Sequence, residues 1–545
     1  MQRTSRRTSK PAGAKHISVE HLTYALPNGT EVISDVSCVF PRKRIGLVGD
    51  NGVGKTTLLR IILGELAPTK GDVIVDGTLG YLPQDLKVPE GATVADALKV
   101  KAKIEALDRL DRGDADTGGE LLGIIGDDWD IREEVPRLLK SFGLDAPLDR
   151  PGMTLSGGEL VRLHMVGLIV NRYDFLILDE PTNNLDSESR RALYRFIETA
   201  KVGVVAVSHD RGLLARMDAI VEMFRDELKL YGGNYAFYRD QRRLHAEALE
   251  RLIVTRTGEV EEARETARET AERNAKRARM GKKHAIKANL PRIVRGAWKN
   301  SAEAHAGRSR GVHERVLEEH ESELRKLRER RRPDNTIKLE LPETNVPRDK
   351  VVFSLRDVSF RYGDGPELFR PLTYTMAGPQ RVVIRGRNGS GKTTLARIIR
   401  GELAPSTGTA FLGVRSVGYL DQLTRSLPED RSVLEIMREV HPGMPESEVR
   451  IYLARLKFHR DAVHKRVEVL SGGERIRLAL AKEFIKPEPP RLLILDEPTN
   501  NLDLNSIERL ESALSCYEGA LIAISHDESF LRAIGITSEI TVGEG

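Results

Sequence analysis

Gly49-Asp50-Asn51-Gly52-Val53-Gly54-Lys55-Thr56 returns 337 positions later as Gly386-Arg387-Asn388-Gly389-Ser390-Gly391-Lys392-Thr393. In each copy an apolar run leads into the glycines, Arg44-Ile45-Gly46-Leu47-Val48 in one and Val382-Val383-Ile384-Arg385 in the other, and a helical pattern follows over 57–63 and 394–400. Strand, glycine loop and helix form the arrangement in which unpaired N–H groups at a helix N-terminus face phosphate, with glycine letting the backbone wrap closely. Gly49, Asn51, Gly52, Gly54 and Thr57, with Gly386, Asn388, Gly389, Gly391 and Thr394, are therefore expected to line two ATP sites. Lys55 and Lys392 would pair with β and γ phosphates, and the hydroxyls of Thr56 and Thr393 would ligate Mg²⁺.

Two further stretches repeat behind each loop. Leu155-Ser156-Gly157-Gly158-Glu159 returns as Leu470-Ser471-Gly472-Gly473-Glu474, offset by 315, and Leu178-Asp179-Glu180-Pro181-Thr182-Asn183-Asn184-Leu185-Asp186 returns as Leu495-Asp496-Glu497-Pro498-Thr499-Asn500-Asn501-Leu502-Asp503, offset by 317. Asp179 and Asp496 end apolar strands, where α/β sheets present ligand-facing side chains, and would hold Mg²⁺ directly or through water. Glu180 and Glu497 are candidate general bases orienting the attacking water; a helix cap or salt bridge is the alternative for each. Gln84 and Gln422 close Tyr81-Leu82-Pro83-Gln84 and Tyr419-Leu420-Asp421-Gln422, where an amide can touch Mg²⁺ or the lytic water. His209 and His526 each follow the glutamate by 29 positions; contact with γ-phosphate is expected of them, a structural histidine being the alternative. Tyr24 and Tyr362 can stack on adenine or pack in the core.

The chain has 545 residues, 40% apolar and 31% charged, enough for two to four domains with cores of their own. Strands alternating with helices imply α/β parallel sheets. The first copy is longer by about 23 residues around 101–130, where Asp111-Arg112-Gly113-Asp114 reads as a turn between short helices. Residues 1–15 read as a disordered basic tail without the apolar core of a secretory signal. No apolar run is long enough to span a bilayer. Cys38 and Cys516 lie in different copies and are expected to be buried free thiols, consistent with a cytoplasmic setting.

The region between the copies is not repeated. Residues 241–332 hold 25 Lys and Arg against 15 Asp and Glu, and 273–310 hold 12 basic residues with Glu303 as the one acid. Abundant Arg, Glu, Ala and Lys predict helix. Ala263, Ala267, Ala271 and Ala275 recur every fourth residue, and Val312, Val316, Leu324 and Leu327 continue the pattern beyond a break at Gly281 and Asn289-Leu290-Pro291. The expected structure is two long antiparallel helices, the first over about 238–280, with the alanines at their seam. Arg277, Arg279, Lys282, Lys283, Lys287, Arg292, Arg295 and Lys299 can pair with RNA phosphates, and Trp298 can stack on a base; a solvated helix surface is the alternative.

Together these motifs resemble the ATP-binding cassette superfamily, over roughly 430 residues. The resemblance implies head-to-tail closure, so that Lys55, Glu180 and His209 share a site with Ser471, Gly472 and Gly473, and Lys392, Glu497 and His526 with Ser156, Gly157 and Gly158. Both sites should hydrolyse ATP. The tandem arrangement, the charged linker and Tyr231-Gly232-Gly233-Asn234-Tyr235 resemble the ABC-F family in particular. That resemblance implies a cytoplasmic monomer bound at the ribosomal E site. Its linker would reach toward the peptidyl-transferase centre and P-site tRNA, as a translation factor or an antibiotic-resistance factor. A short insertion and the 19 residues after His526 predict neither a long arm nor a C-terminal coiled coil. A transporter ATPase subunit and an ATP-dependent nucleic-acid remodeller are the rivals. The expected domains are a first cassette at 16–237, a linker at 238–345 and a second cassette at 346–545.

Overall fold

The computed structural model describes residues 15–84, 86, 88–114, 119–183, 185–224, 227–287, 311–312, 314–329, 344–421, 427–456 and 458–543. Two compact units emerge. One combines Met1–Ala236 with Asn335–Gly545, and the other is Phe237–Asp334.

The first unit contains both repeats. In the first, β1 (His16–Ala25), β2 (Glu31–Pro41) and β4 (Lys70–Val75) make an antiparallel sheet in the order β2-β1-β4. The main sheet runs β5-β6-β7-β3-β8-β9, from β3 (Arg44–Val48), β5 (Leu79–Leu82), β6 (Phe175–Asp179), β7 (Gly203–Val207), β8 (Ala219–Phe224) and β9 (Glu227–Gly232). It is parallel except for β9. The second repeat builds the same plan from β10 (Val351–Phe360), β11 (Phe369–Ala377), β12 (Arg381–Arg385), β13 (Thr407–Leu412), β14 (Val417–Asp421), β15 (Leu492–Asp496), β16 (Ala520–Ile524) and β17 (Ser538–Thr541). Its sheets run β11-β10-β13 and β14-β15-β16-β12-β17.

Burial explains the strand composition. Every residue of β6, β7, β15 and β16 is buried, as expected for parallel strands covered on both faces, which read as continuous apolar runs. The strands place Asp179 beside the C-terminal end of β7 and Asp496 beside that of β16. β3 and β12 lie one strand further along and feed the glycine loops. Ligand-facing groups thus gather outside the carboxyl ends of the strands.

Helical layers carry the Ser-Gly-Gly-Glu stretches. In the first repeat the helices Lys101–Asp111, Glu120–Ile125, Ile131–Ser141 and Gly157–Val170 enclose a core with Leu107, Leu121, Val135 and Leu163. The extra length of this repeat is spent on the first two of these helices. In the second repeat, Val433–Val440, Glu446–Arg455 and Gly472–Phe484 do the same around Met437, Leu453 and Leu480.

The second unit is helical. A single helix, Tyr235–Lys287, has 53 residues, about 80 Å at ~1.5 Å per residue. It runs through Gly281, where the sequence predicts a break. An isolated glycine costs a helix only about 1 kcal/mol, and the strong helix formers around it outweigh that. Residues 314–329 form a second helix. Arg256 pairs with Glu323 and Arg264 with Glu321, so numbering rises on one helix as it falls on the other and the two are antiparallel. Their apolar seam contains Leu324 and Leu327 as expected, but not the alanine stripe. It consists of Ile253, Val260 and Leu324, flanked by Leu249, Leu317 and Leu327. Ala271 and Ala275 are exposed, and Val312 and Val316 face solvent at 60% and 40% exposure. The larger side chains win the seam because they remove more apolar surface from water. Cys516 also departs from expectation: both cysteines are free, but Cys516 is exposed and Cys38 half-buried.

Candidate functional site

The glycine loops fold around their own lysines. Gly54 and Gly391 precede the loop helices with φ of 103° and 97°, left-handed values that glycine adopts without steric cost. The turn brings Lys55 Nζ to the carbonyls of Gly49 and Asp50 at 2.7 and 2.9 Å. Lys392 Nζ meets those of Gly386 and Arg387 at 2.9 and 3.0 Å. Burial lowers the pKa of both lysines while neighbouring carboxylates, foremost Glu180 and Glu497, oppose it. A buried ammonium held on carbonyls in this way is set to exchange them for an anionic ligand.

Next to each lysine stand a hydroxyl and a carboxylate. Thr56 Oγ1 donates to Asp179 at 3.4 Å, and Thr393 Oγ1 to Asp496 at 2.8 Å, where Tyr419 also donates at 3.0 Å. Glu180 and Glu497 adopt φ of 47° and 45°, a region costly for a residue with a Cβ and found where function imposes it. Burial pushes both carboxyls up to about 7, against the pull of nearby cations, Lys55 for Glu180 and Arg190 then Lys392 for Glu497. His209 Nε2 lies 3.2 Å from Glu180 Oε1, and His526 Nε2 lies 3.6 Å from Glu497 Oε1. Burial holds His209 well below the usual imidazole range and His526 at about 4, so both rings are neutral near pH 7.

Most of these groups line two cavities, Asp179 and His526 not being among the lining residues. One of about 360 Å³ is lined by Asn51, Gly52, Gly54, Lys55, Thr56 and Thr57 from the loop and by Gln84, Glu180 and His209. The other, about 570 Å³, is lined by Asn388, Gly389, Gly391, Lys392, Thr393 and Thr394, with Asp496, Glu497 and Tyr362. Tyr362 stands over its loop, its hydroxyl 3.0 Å from Thr394 Oγ1. Tyr24 is placed differently: it packs half-buried against the core, and Val32 rather than Tyr24 lines the first cavity. Gln422 lies outside the described residues.

Ser156 and Ser471 cap their helices in reciprocal boxes with Glu159 and Glu474, so they serve the helix whatever else they touch. Gly157 and Gly158, with Gly472 and Gly473, form the first turns. A Cβ on Gly158 would meet Ser189 Oγ at 2.9 Å, and one on Gly473 would meet Arg509 at 2.5 Å. Glycine therefore permits close packing against the helices Ser187–Thr199 and Leu504–Ser515.

The two repeats meet at these sites. Asn51 donates its backbone N–H to Asp503 Oδ2 at 3.0 Å and its amide to the Asn501 carbonyl at 2.9 Å, and Asn505 donates to Asp50. Asn501 lines the first cavity, and a Cβ on Gly472 would lie 3.9 Å from Asn51 Nδ2. At the other site Arg387 pairs with Glu188 at 3.5 Å. Burial raises the Asp186 pKa, but N–H groups of Ser189 and Asn388 and the nearby His526 hold it below its ordinary value. Ser187 Oγ lies 3.0 Å from His526 Nδ1. Asn51, Asn388, Gly472 and His526 are ATP-site residues of the sequence reading, but Asp186, Ser187, Glu188, Asn501, Asp503 and Asn505 have no role in it, although the repeated Asn-Asn-Leu-Asp ahead of each crossing helix was a visible signal.

Arg277, Arg279 and Lys283 are exposed on the long helix. Lys282 and Lys287 lie in that helix with side chains outside the described set, as are Arg292, Arg295, Trp298 and Lys299 altogether. Among the described residues no helix is long and apolar enough to cross a membrane. Nor do any three His, Cys, Asp or Glu among them form a group able to hold a metal. The hard oxygens of Thr56 with Asp179, and Thr393 with Asp496, fit Mg²⁺, which takes few protein ligands and shares its sphere with substrate phosphates.

The family described as ABC transporter matches residues 34–183 and 369–500. The tylosin resistance ATP-binding protein TlrC of Streptomyces fradiae is 32% identical over 94% of this chain and 95% of its own length. The energy-dependent translational throttle protein EttA of Mycobacterium tuberculosis is 30% identical over 92% and 87%, and ABC transporter F family member 5 of Arabidopsis thaliana 29% over 95% and 73%. A solved structure of archaeal ribosome recycling factor aABCE1 with the stalk protein aP1 shares the fold, with a TM-score of 0.56 over 96% of this chain and 88% of its own at 18% identity. Two nucleotide-type sites of matching build, each within a cassette covered by the family match, place the chain in the ABC-F family of tandem ATP-binding cassette ATPases.

Proposed function

We propose that this protein is an ATP-driven clamp on the ribosome, with two composite sites that both hydrolyse ATP. The observation that carries the composite reading is the crossing contact: the loop of each cassette, through Asn51 and Arg387, is bound by the segment that follows the glutamate of the other. Lys55 and Lys392, with loop N–H groups, bind the phosphates. Glu180 and Glu497 orient water, His209 and His526 hold the γ-phosphate edge, and Ser471 with Gly473 and Ser156 with Gly158 complete the sites from across the interface. Thr56, Asp179 and Gln84, and Thr393, Asp496 and Gln422, would hold Mg²⁺, which supplies charge neutralisation at the phosphates. ATP then favours the closed state through contacts available only there, and hydrolysis releases it. Tyr362 stacks on adenine in the second cassette, and in the first Val32, not Tyr24, stands at the cavity wall.

The ribosome as partner rests on relatives named for a translational throttle and for tylosin resistance, and on the cationic sequence between the cassettes. We assign the protein to the cytoplasm, at the E site, with residues 238–345 directed toward P-site tRNA and the peptidyl-transferase centre. Protein carrying Glu180→Gln and Glu497→Gln should co-sediment with 70S ribosomes when ATP is present and not when it is absent. ATP-independent or absent co-sedimentation overturns the proposal.

A further inference from the structure

The motifs of the two cassettes match, but the helices that cross between them do not. At the offset of 317 that relates His209 to His526, Ser187 corresponds to Leu504 and Arg190 to Ile507. The difference falls on the two histidines. His526 Nδ1 is 3.0 Å from Ser187 Oγ of the opposite cassette. The backbone carbonyl of His526 accepts from Arg190 Nη1 at 3.3 Å, while Arg190 Nη2 donates to the Thr182 carbonyl at 3.4 Å and the guanidinium pairs with Asp210 at 3.3 Å. At the other site His209 Nδ1 has no hydrogen-bond partner among the described residues, while its Nε2 lies 3.2 Å from Glu180 Oε1. Leu504 and Ile507, at the matching positions, have apolar side chains.

A neutral imidazole carries one N–H, and its position follows from the bond made by the other nitrogen. When the Ser187 hydroxyl donates to Nδ1, the proton of His526 stays on Nε2, the nitrogen that faces Glu497. His526 can then donate on the side of Glu497, and its backbone carbonyl is held by Arg190. His209 has no such partner at Nδ1. We propose that Ser187 and Arg190 of the first cassette are positioning residues for the second cassette's ATP site, so that the two sites are unequal. His526 at the second site is hydrogen-bonded from across the interface, and His209 at the first is not. This rests on the composite reading above.

The test uses the full-length protein with one glutamate replaced at a time. Glu180→Gln isolates the second site and Glu497→Gln the first. In the Glu180→Gln protein, Ser187→Ala should lower kcat about fivefold, the rate equivalent of one ordinary hydrogen bond, with KM changed by less than about twofold. Ser187→Thr, which keeps the hydroxyl, should restore the rate. In the Glu497→Gln protein the loss from Ser187→Ala should be at least about threefold smaller. Equal losses in both backgrounds, no loss in the first, or no rescue by threonine overturns the proposal. Gly158→Asp distinguishes the premise: it should stop hydrolysis in the Glu180→Gln protein. If it acts only in the Glu497→Gln protein, the composite reading itself fails.

Discussion

Asn51 and Asp503, 452 positions apart, are joined by a 3.0 Å hydrogen bond from the Asn51 backbone N–H to Oδ2. The other carboxylate oxygen of Asp503 accepts from the Ser506 N–H at 2.8 Å and caps the helix Leu504–Ser515. One side chain thus ties the start of a helix in the second cassette to the phosphate loop of the first. Asp503→Asn keeps the capping oxygen and presents an NH₂ group to the Asn51 N–H. Hydrolysis at the first site, measured in Glu497→Gln protein, should fall about tenfold, the loss of one charge-assisted bond. The thermal midpoint should stay within about 2 °C because the cap survives. An unchanged rate would show that the crossing bond is incidental to catalysis.

The raised carboxyls set a pH dependence. Glu180 and Glu497 ionise in the fold at about 7, so kcat/KM should fall as pH drops below about 7, where the base of the free enzyme is protonated. Stability moves the other way. In the unfolded chain these carboxyls ionise near their ordinary 4.5. The fold therefore binds more protons between the two values, and this contribution is complete below about 4.5 and lost as pH rises through about 7. Glu180→Gln with Glu497→Gln removes the ionised burden. The double variant should melt about 5 °C above the parent at pH 8, and the gap should close by pH 5. A gap independent of pH would assign it to something other than these carboxyls.

Arg211 and Glu511 form a two-pronged pair across the cassettes, at 2.7 and 3.2 Å, with both side chains about 15% exposed or less. Burial favours the neutral form of Glu511, and Arg211 opposes it. Removing Arg211 alone leaves a buried carboxyl without its cation, so Arg211→Ala should destabilise the closed unit by about 3 kcal/mol. Adding Glu511→Ala should recover part of that loss. A double-mutant cycle on chemical denaturation should give a coupling of at least about 1.5 kcal/mol; additive losses would show that the pair is energetically silent.

The nucleotide-facing residues were legible because backbone geometry fixes their spacing. Lys55 must follow the loop glycines, and Asp179 with Glu180 must end a buried strand, so the pattern recurs wherever the cassette does. The crossing contacts are chosen by the opposing surface. Ser187 against Leu504 and Arg190 against Ile507 break the repeat, and the partner of each lies more than 300 positions away, beyond the reach of periodicity. The helical region shows the converse limit. Spacing picked out Leu324 and Leu327, which do lie at the seam, but on the long helix it favoured alanines at every fourth residue, whereas Ile253 and Val260 bury more surface and take that side. Gly281 was read as a break, although one glycine cannot end a helix without a competing turn or cap.

That seam yields the last prediction. Leu324 is 6% exposed in a cluster of three buried residues, and the ion pairs beside it, Arg256 with Glu323 and Arg264 with Glu321, are partly solvated. Solvated pairs contribute little, so the packing of the two helices depends on the apolar contacts. Leu324→Ala removes the buried side chain that residues 314–329 contribute to the cluster and should cost about 2 kcal/mol, the lower end for a buried leucine because a two-helix seam can collapse around the gap. Amide exchange of residues 249–264 and 314–329 should accelerate about thirtyfold, with the cassette strands unchanged. Uniform protection in parent and variant would show that the ion pairs, and not the leucine, hold the hairpin together.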